Sequence, residues 1–181
     1  MKTILFTFLI LNSICSLAQI EQPILTEKAN ELWFQSLNTT DELSEKIDLI
    51  NQRLIEDVNV YIEWGFPDGI TVQRIPKLDS IRKVSTQGFC KPLYVVKYKT
   101  KQIAFRIENP LNDELTNSVS ELITKNNICA VEVWTDDERQ VLYGTSATCG
   151  IIFITTNERK VFKSFKNLKL TNFYMDEIGN Y

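Results

Sequence analysis

Few side chains in this sequence of 181 residues could carry out chemistry. It contains no histidine, which excludes Ser-His-Asp and Cys-His catalysis, histidine metal sites and the usual general base near neutral pH. The cysteines beyond the N-terminal segment, Cys90, Cys129 and Cys149, are too widely spaced for a zinc site. We therefore predict no catalytic, cofactor-binding or metal-binding residues.

These three cysteines leave two interpretations open. Cys129 and Cys149 lie on or beside two predicted strands, so they could form a disulfide if those strands are neighbours, which would leave Cys90 as a free thiol. The other interpretation is a thiol-based redox-sensing protein that uses Cys90. The lack of a Cys-x-x-Cys motif and of histidine favours a structural disulfide or inert thiols.

The one tight acidic cluster is Asp136, Asp137 and Glu138. Consecutive carboxylates do not give the alternating ligand pattern of calcium-binding loops. The cluster therefore predicts a solvated turn rather than a metal site.

The first 18 residues have the organisation of an export signal. Lys2 gives a positive start, an apolar run follows from Ile4 to Leu11, and Ser16-Leu17-Ala18 forms a small-residue cleavage site. The apolar run is much shorter than the roughly 20 residues that span a bilayer. We predict an exported protein in the periplasm or at the outer membrane.

Charge excludes one class of partner. Removing residues 1–18 takes away Lys2 alone, which changes 20 basic residues against 23 acidic ones to 19 against 23, a net charge of −4. A general nucleic-acid binder needs a basic surface to neutralise phosphates. We therefore expect no nucleic-acid partner.

Two helices are predicted in an N-terminal extension, residues 19–57. Apolar residues recur at helical spacing in both. Thr39 and Glu42 have the spacing of a capping box between the helices. Such an antiparallel hairpin must bury its apolar stripes against the rest of the chain or a partner. The stripes are Leu25, Ala29, Leu32, Trp33 and Leu37, then Leu43, Ile47, Ile50, Leu54 and Ile55.

Residues 58–157 alternate strand and helix patterns. We predict a strand from Val58 to Trp64, a hairpin of Pro92–Val96 with Gln102–Ile107, and a helix from Leu111 to Lys125. Two further strands, Ile128–Trp134 and Gly150–Thr156, flank a polar connection. The fold class that follows is α+β, a small mixed sheet with packed helices.

Residues 158–181 form a basic tail. Its apolar residues Val161, Phe162, Phe165 and Leu168 would share one side of a helix, with the cations around the other. The helix either covers the sheet with a solvated basic face or contacts anionic lipid or lipopolysaccharide. The final residues to Tyr181 are expected to be frayed. The cations are Arg159, Lys160, Lys163, Lys166 and Lys169.

The spacing of three short blocks resembles the end of the plug domain of TonB-dependent outer-membrane receptors. Val-Glu-Val is followed after eight residues by Leu-Tyr-Gly, and after five more by Gly-Ile-Ile-x-Ile-Thr-Thr. Pro-Leu-Tyr-Val-Val at residues 92–96 is similar to another plug segment, so the resemblance covers 92–156. The block residues are Val131, Glu132, Val133, Leu142, Tyr143, Gly144, Gly150, Ile151, Ile152, Ile154, Thr155 and Thr156.

The chain departs from that family's pattern at four of its positions. Lys97 and Tyr98 stand where plugs carry Asp-Gly, so we expect the hairpin to be longer or differently shaped. Ala147 and Cys149 stand where glycine and asparagine are frequent. Gly144 is expected to adopt a backbone angle closed to other residues, and Gly150 to lie where another segment approaches closely.

The resemblance implies a free-standing plug-like α+β domain. A chain of this length has no room for barrel strands, and we find no coupling box, so we expect no transport activity of its own. We predict a non-enzymatic interaction module whose partner is an envelope protein or outer-membrane component, with peripheral membrane contact through the basic tail. Besides the redox alternative, Trp33, Trp64 and Trp134 could serve a small-ligand binding protein.

Overall fold

The computed structural model describes residues 24–62, 86–107, 113–135, 143, 147–168 and 173–176. Its fold class is α+β, as predicted. A 3-10 turn, Asp57–Asn59, directly follows the helix Leu43–Glu56. In chain order the elements are α1 (Glu27–Thr39), α2 (Leu43–Glu56), β1 (Val60–Ile62), β2 (Thr86–Gly88), β3 (Leu93–Tyr98), β4 (Lys101–Ile107), α3 (Asp113–Leu122), β5 (Ala130–Trp134), β6 (Ile151–Thr155), α4 (Arg159–Asn167) and β7 (Phe173–Asp176).

Five strands form a mixed sheet in the order β5-β6-β3-β4-β7. β3 and β6 are parallel, and every other neighbouring pair is antiparallel. A helix connects β4 to β5, and another connects β6 to β7. Each of these connections joins two strands that are not neighbours in the sheet. Separately, β1 pairs with β2 in parallel.

Alternation along the strands divides the large sheet into two faces. Tyr94, Phe105 and Ile152 point to the helical face, the one that packs against the helices. Their neighbours Leu93, Ala104 and Phe153 point to the second face, where Ala147 covers them. Because successive side chains of a strand point to opposite faces, both faces of the central strands are buried.

Helices α1 and α2 belong to the same core as the sheet. Phe34 and Leu37 of α1 and Ile50 and Leu54 of α2 are buried among the residues of the helical face. The predicted stripes were partly wrong, since Leu32 is 54% exposed and Ile55 is 52% exposed. Positions that face inwards instead include polar Asn30 and Arg53, which a pattern of apolar residues cannot identify.

The predicted capping box is absent. Thr39 ends α1 and donates its hydroxyl to the carbonyls of Gln35 and Ser36. Glu42 precedes α2 without a side-chain cap. The cap that does form is at the start of α1, where the Thr26 hydroxyl accepts from the Ala29 backbone N–H.

The hairpin of β3 and β4 turns later than the family pattern would place it. Lys97 and Tyr98 continue β3, and Tyr98 pairs with Lys101. The two residues of the turn begin with Lys99, whose φ is 54°. The strands are therefore longer than predicted, while the connection itself is short.

Two other strands differ from prediction. Val58 and Asn59 belong to the 3-10 turn rather than to a strand, and the three residues of β1, Val60–Ile62, are all buried instead of alternating. The rest of the predicted strand, residues 63 and 64, lies outside the described residues. The expectation of a frayed C-terminus was wrong for residues 173–176, because β7 pairs with β4 and adds a fifth strand. Four residues give too short a pattern to reveal such a long-range pairing.

Several predicted features lie outside the described residues. They are the export signal, Trp64, Asp136, Asp137, Glu138, Leu142, Gly144 and Lys169. Within the described part of the chain, no helix combines the length and apolarity that crossing a bilayer requires.

Candidate functional site

Two of the three motif blocks become neighbouring strands. Val131, Glu132 and Val133 lie in β5 and pair with residues 154, 153 and 152 of β6. The predicted strands of this motif are therefore confirmed. Their pairing also explains the alternation, since Val131 points into the helical face while Glu132 is exposed.

The end residues of the motif fix its connections. Gly150 has a φ of +93°, and a side chain there would collide with the Phe34 ring of α1, so the predicted close approach is confirmed. At the other end of β6, the Thr156 hydroxyl donates to the Asn127 carbonyl at 2.6 Å and accepts from the Glu158 N–H at 3.1 Å. It thereby joins the segment before β5 to the segment before α4.

The predicted pairing of Cys129 with Cys149 is wrong. The disulfide joins Cys90 to Cys149, with Cα atoms 5.7 Å apart, and Cys129 is an exposed free cysteine. β5 and β6 are neighbours, as required, but they run antiparallel. Cys129 precedes one strand and Cys149 the other, so the two cysteines lie at opposite ends of the ladder.

A buried polar cluster, the Arg53 centre, lies beside this disulfide. Arg53 Nε donates to both carboxylate oxygens of Asp57, at 2.9 and 2.8 Å, and both side chains are 0% exposed. Arg53 Nη2 donates to the Cys90 carbonyl at 2.8 Å and to Asn30 Oδ1 at 3.3 Å. Asn30 Nδ2 donates to the Cys149 carbonyl at 3.4 Å. Helices α1 and α2 are thus tied to both halves of the disulfide.

The electrostatics of the Arg53 centre indicate a structural role. Burial raises the pKa of Asp57, and the guanidinium of Arg53 opposes that rise. Burial also raises the pKa of Tyr94 well above its usual range, with a further contribution from Asp57. No water-exposed group of the centre is available to a reactant. The sequence signal that could have revealed it is the spacing of four residues between Arg53 and Asp57 on a helix.

A second cluster, the Lys97 cluster, lies on the second face. Lys97 Nζ is 3.6 Å from the centre of the Phe153 ring, 5.5 Å from that of Trp134 and 3.9 Å from Glu132 Oε2. Trp134 and Tyr143 both contact the Phe153 ring edge to face. Desolvation lowers the pKa of Lys97, and Glu132 opposes this effect.

Tyr143, the described residue of the middle motif block, belongs to this packing. Its hydroxyl donates to Gln102 Oε1 at 3.0 Å, and partial burial raises its pKa. A packed aromatic ring with a hydrogen-bonded hydroxyl accounts for the residue. The Lys97 cluster is accordingly a lysine held over aromatic rings, with its cation already partnered.

β5 forms one end of the sheet. In the described part of the chain it pairs with a strand on one side only, that of β6. We call its opposite side the β5 edge. Helices α1 and α2 contact β5, and the Glu132 side chain is 57% exposed. Backbone groups on an unpaired side of a strand can accept another chain as a further strand.

α4 contains the described part of the helix predicted for the basic tail. Its apolar residues Val161, Phe162 and Phe165 are buried in the core, and Phe165 stacks on Phe105 of β4. The exposed cations are Arg159, Lys160, Lys163 and Lys166. Because the apolar side is already packed on the sheet, it is not free to enter a lipid surface. Contact of the exposed cations with anionic lipid stays a prediction.

The described tryptophans do not converge on one ligand site. Trp33 packs against the core of the helical face, and Trp134 packs on the second face. The sheet therefore separates them. Among the described residues there is also no group of cysteine, aspartate and glutamate side chains that could hold a metal ion.

Comparisons with protein-family models, with characterised proteins and with solved structures find no match to this chain.

Proposed function

We propose that this protein is an exported, non-enzymatic interaction module that binds an envelope partner through the β5 edge. The observation that carries the proposal is that, among the described strands, β5 lies at the end of the sheet and pairs with β6 alone. An extended segment can bind such a strand through main-chain hydrogen bonds, with side-chain contacts giving specificity. The plug-like motif supports the proposal because its Val-Glu-Val block forms this strand.

The disulfide supports the proposed location. Disulfides form and persist in oxidising compartments such as the bacterial periplasm, and this chain carries one between Cys90 and Cys149. Together with the export signal predicted at residues 1–18, it supports a periplasmic or outer-membrane protein.

Two features support a role without chemistry. The chain has no histidine, and the charged pair Arg53–Asp57 is buried and engaged with its neighbours. The redox-sensing alternative required a free Cys90 thiol, and that sulfur is paired. Ligand binding by the tryptophans loses support because Trp33 and Trp134 lie on opposite faces.

Site-specific photocrosslinking in living cells tests the module. A photoreactive phenylalanine analogue replaces Glu132, and in a matched control it replaces Glu121, which is exposed on α3. We expect a defined envelope protein to be crosslinked from position 132 and not from position 121, with the adduct mapped to one extended segment of that protein. Equal yields from both positions, or no adduct from position 132, would contradict the proposal.

A further inference from the structure

The charge around the β5 edge points to the chemistry of its partner. We propose that the occupant of the β5 edge is an extended segment rich in lysine and arginine. This inference rests on the proposed function, because it specifies what the docking strand binds.

The helices that contact β5 carry a strong excess of negative charge. Residues 26–57 include eight carboxylates against three cations, a net charge of −5. Arg53 and Asp57 neutralise each other in the interior, so the excess belongs to the outer surface of the hairpin. Its exposed acidic residues are Glu27, Glu31, Asp41, Glu42, Glu45 and Asp48.

β5 adds a carboxylate of its own. Glu132 lies at the middle of the strand, and Lys97 Nζ is 3.9 Å from its carboxylate. Lys97 is held over the Phe153 ring, while the Glu132 side chain remains 57% exposed. A strand added beside β5 would therefore pass a carboxylate on the second face and acidic helices on the helical face.

The opposite charge lies elsewhere on the molecule. α4 packs over β3 and β4, and its exposed side consists largely of Arg159, Lys160, Lys163 and Lys166. The charges are therefore separated along the helical face, with the acidic helices against β5 and the basic helix over β3 and β4. A basic segment is attracted to the β5 end and repelled from the α4 end, whereas an acidic segment experiences the reverse.

The two parts of the recognition have different roles. Main-chain hydrogen bonds to β5 hold the segment in an extended conformation, and they are independent of its sequence. Lysine or arginine side chains then select the partner by their charge, which makes binding weaken as salt rises. Electrostatic adsorption on the helices alone would show the salt dependence without any need for main-chain donors.

Titration of the full chain, with its disulfide intact, separates these contributions. The probe is a synthetic peptide of about ten residues that alternates lysine with threonine, a length that exceeds a typical strand. A second peptide is N-methylated at every backbone nitrogen, and a third has glutamate in place of lysine. Amide chemical shifts of isotope-labelled protein locate binding, and the titration gives the Kd.

We expect the lysine peptide to shift the amides of residues 130–133, and each of the other peptides to bind at least tenfold more weakly. Glu132→Lys should weaken the lysine peptide several-fold, whereas Glu121→Lys on α3 should leave its Kd unchanged. Equal binding of the glutamate peptide at β5 would overturn the charge inference while leaving the docking strand intact.

Two other outcomes also overturn the inference. Shifts confined to α1 and α2 that persist with the methylated peptide would show adsorption on the acidic helices. Shifts of β5 amides that depend on protein concentration without peptide would identify a second copy of the chain as the occupant. The photocrosslinking result then decides separately whether the β5 edge docks any envelope partner.

Discussion

The pKa of Lys97 depends on its neighbours on the second face of the sheet. Its ammonium lies against Phe153 and near Glu132, in a site where desolvation lowers its pKa and the carboxylate opposes that change. The two effects therefore act on the pKa of the same ammonium in opposite directions, and desolvation is the larger.

Glu132→Gln should therefore lower the pKa of Lys97 further, because it removes the carboxylate that favours the charged form. Titration of the lysine side-chain NMR signals measures this directly. The pKa in the folded protein lies below the usual 10.5, so the unfolded chain binds more protons between the two values. The free energy of unfolding should consequently rise with pH across that interval. An unchanged or higher Lys97 pKa in the variant would contradict this account.

Gly150 is required by both its backbone and its neighbour. Gly150→Ala places a side chain at a φ of +93° against the Phe34 ring, so we expect a loss of at least about 2 kcal/mol in the free energy of unfolding. Urea denaturation measures it. Ser44→Ala, at an exposed position of α2, is the control and should change little. A loss below about 0.5 kcal/mol in Gly150→Ala would show that α1 does not pack here.

For individual residues, the sequence predicted the surroundings correctly where the residue type itself restricts the backbone or the space around it. Gly150 was predicted to lie at a close approach, and it does. Arg53 was not predicted as part of the interior, because an arginine on a helix usually lies at the surface. Its partners, Asn30 and the Cys90 carbonyl, are distant in sequence, so only the assembled fold explains its burial.

At the level of elements, the Arg53 centre ties α1 and α2 to each other and to the segments that precede β3 and β6. Arg53→Met should cost roughly 3 to 5 kcal/mol, because it leaves the Asp57 carboxylate buried without its partner. The double variant Arg53→Met with Asp57→Leu should recover much of that loss, since no charge remains buried. Urea denaturation of both variants measures the difference.

Arg159→Met, on the exposed side of α4, is the matched control and should have a small effect. A double variant as unstable as Arg53→Met would contradict the importance of the unpaired charge. The loss would then come from packing or from the bonds to the Asn30 side chain and the Cys90 carbonyl.

The Cys90–Cys149 disulfide should contribute strongly to the free energy of unfolding. It closes a sequence separation of 59 residues, for which the chain-entropy relation gives about 4 kcal/mol. Replacing both cysteines by serine should produce a loss of this order, with hydrogen exchange accelerated first in α1, whose Asn30 binds the Cys149 carbonyl. Cys129→Ser should remain near the parent stability, and an equal loss there would contradict the assigned pairing.

Elements whose hydrophobic pattern extends over several residues were predicted well. The hairpin of β3 and β4, the amphipathic α4 and the strands of the motif were all found near their predicted positions. β7 was missed because it has four residues and depends on pairing with β4. The disulfide was assigned wrongly because adjacency of β5 and β6 was considered without their antiparallel direction.

At the scale of the whole molecule, the fold class followed from the sequence, but the position of each strand in the sheet did not. Strand order depends on contacts between distant segments, such as the parallel pairing of β3 with β6. That order places β5 at an end of the sheet, and the candidate docking site exists because of it. The basic residues of α4 were predicted from the sequence, whereas their separation from the acidic surface of α1 and α2 along the helical face required the structure.

The proposed function requires the β5 edge to be free to bind another strand, and hydrogen exchange of the individual β5 amides in the free chain measures whether it is. Backbone amides of a terminal strand point alternately towards its neighbour and away from it. Between Ala130 and Val133 we expect amides directed at β6 to be protected and those directed away to exchange rapidly. Equal, strong protection of all of them at every protein concentration would show that this edge is already covered, and would contradict the proposed docking function.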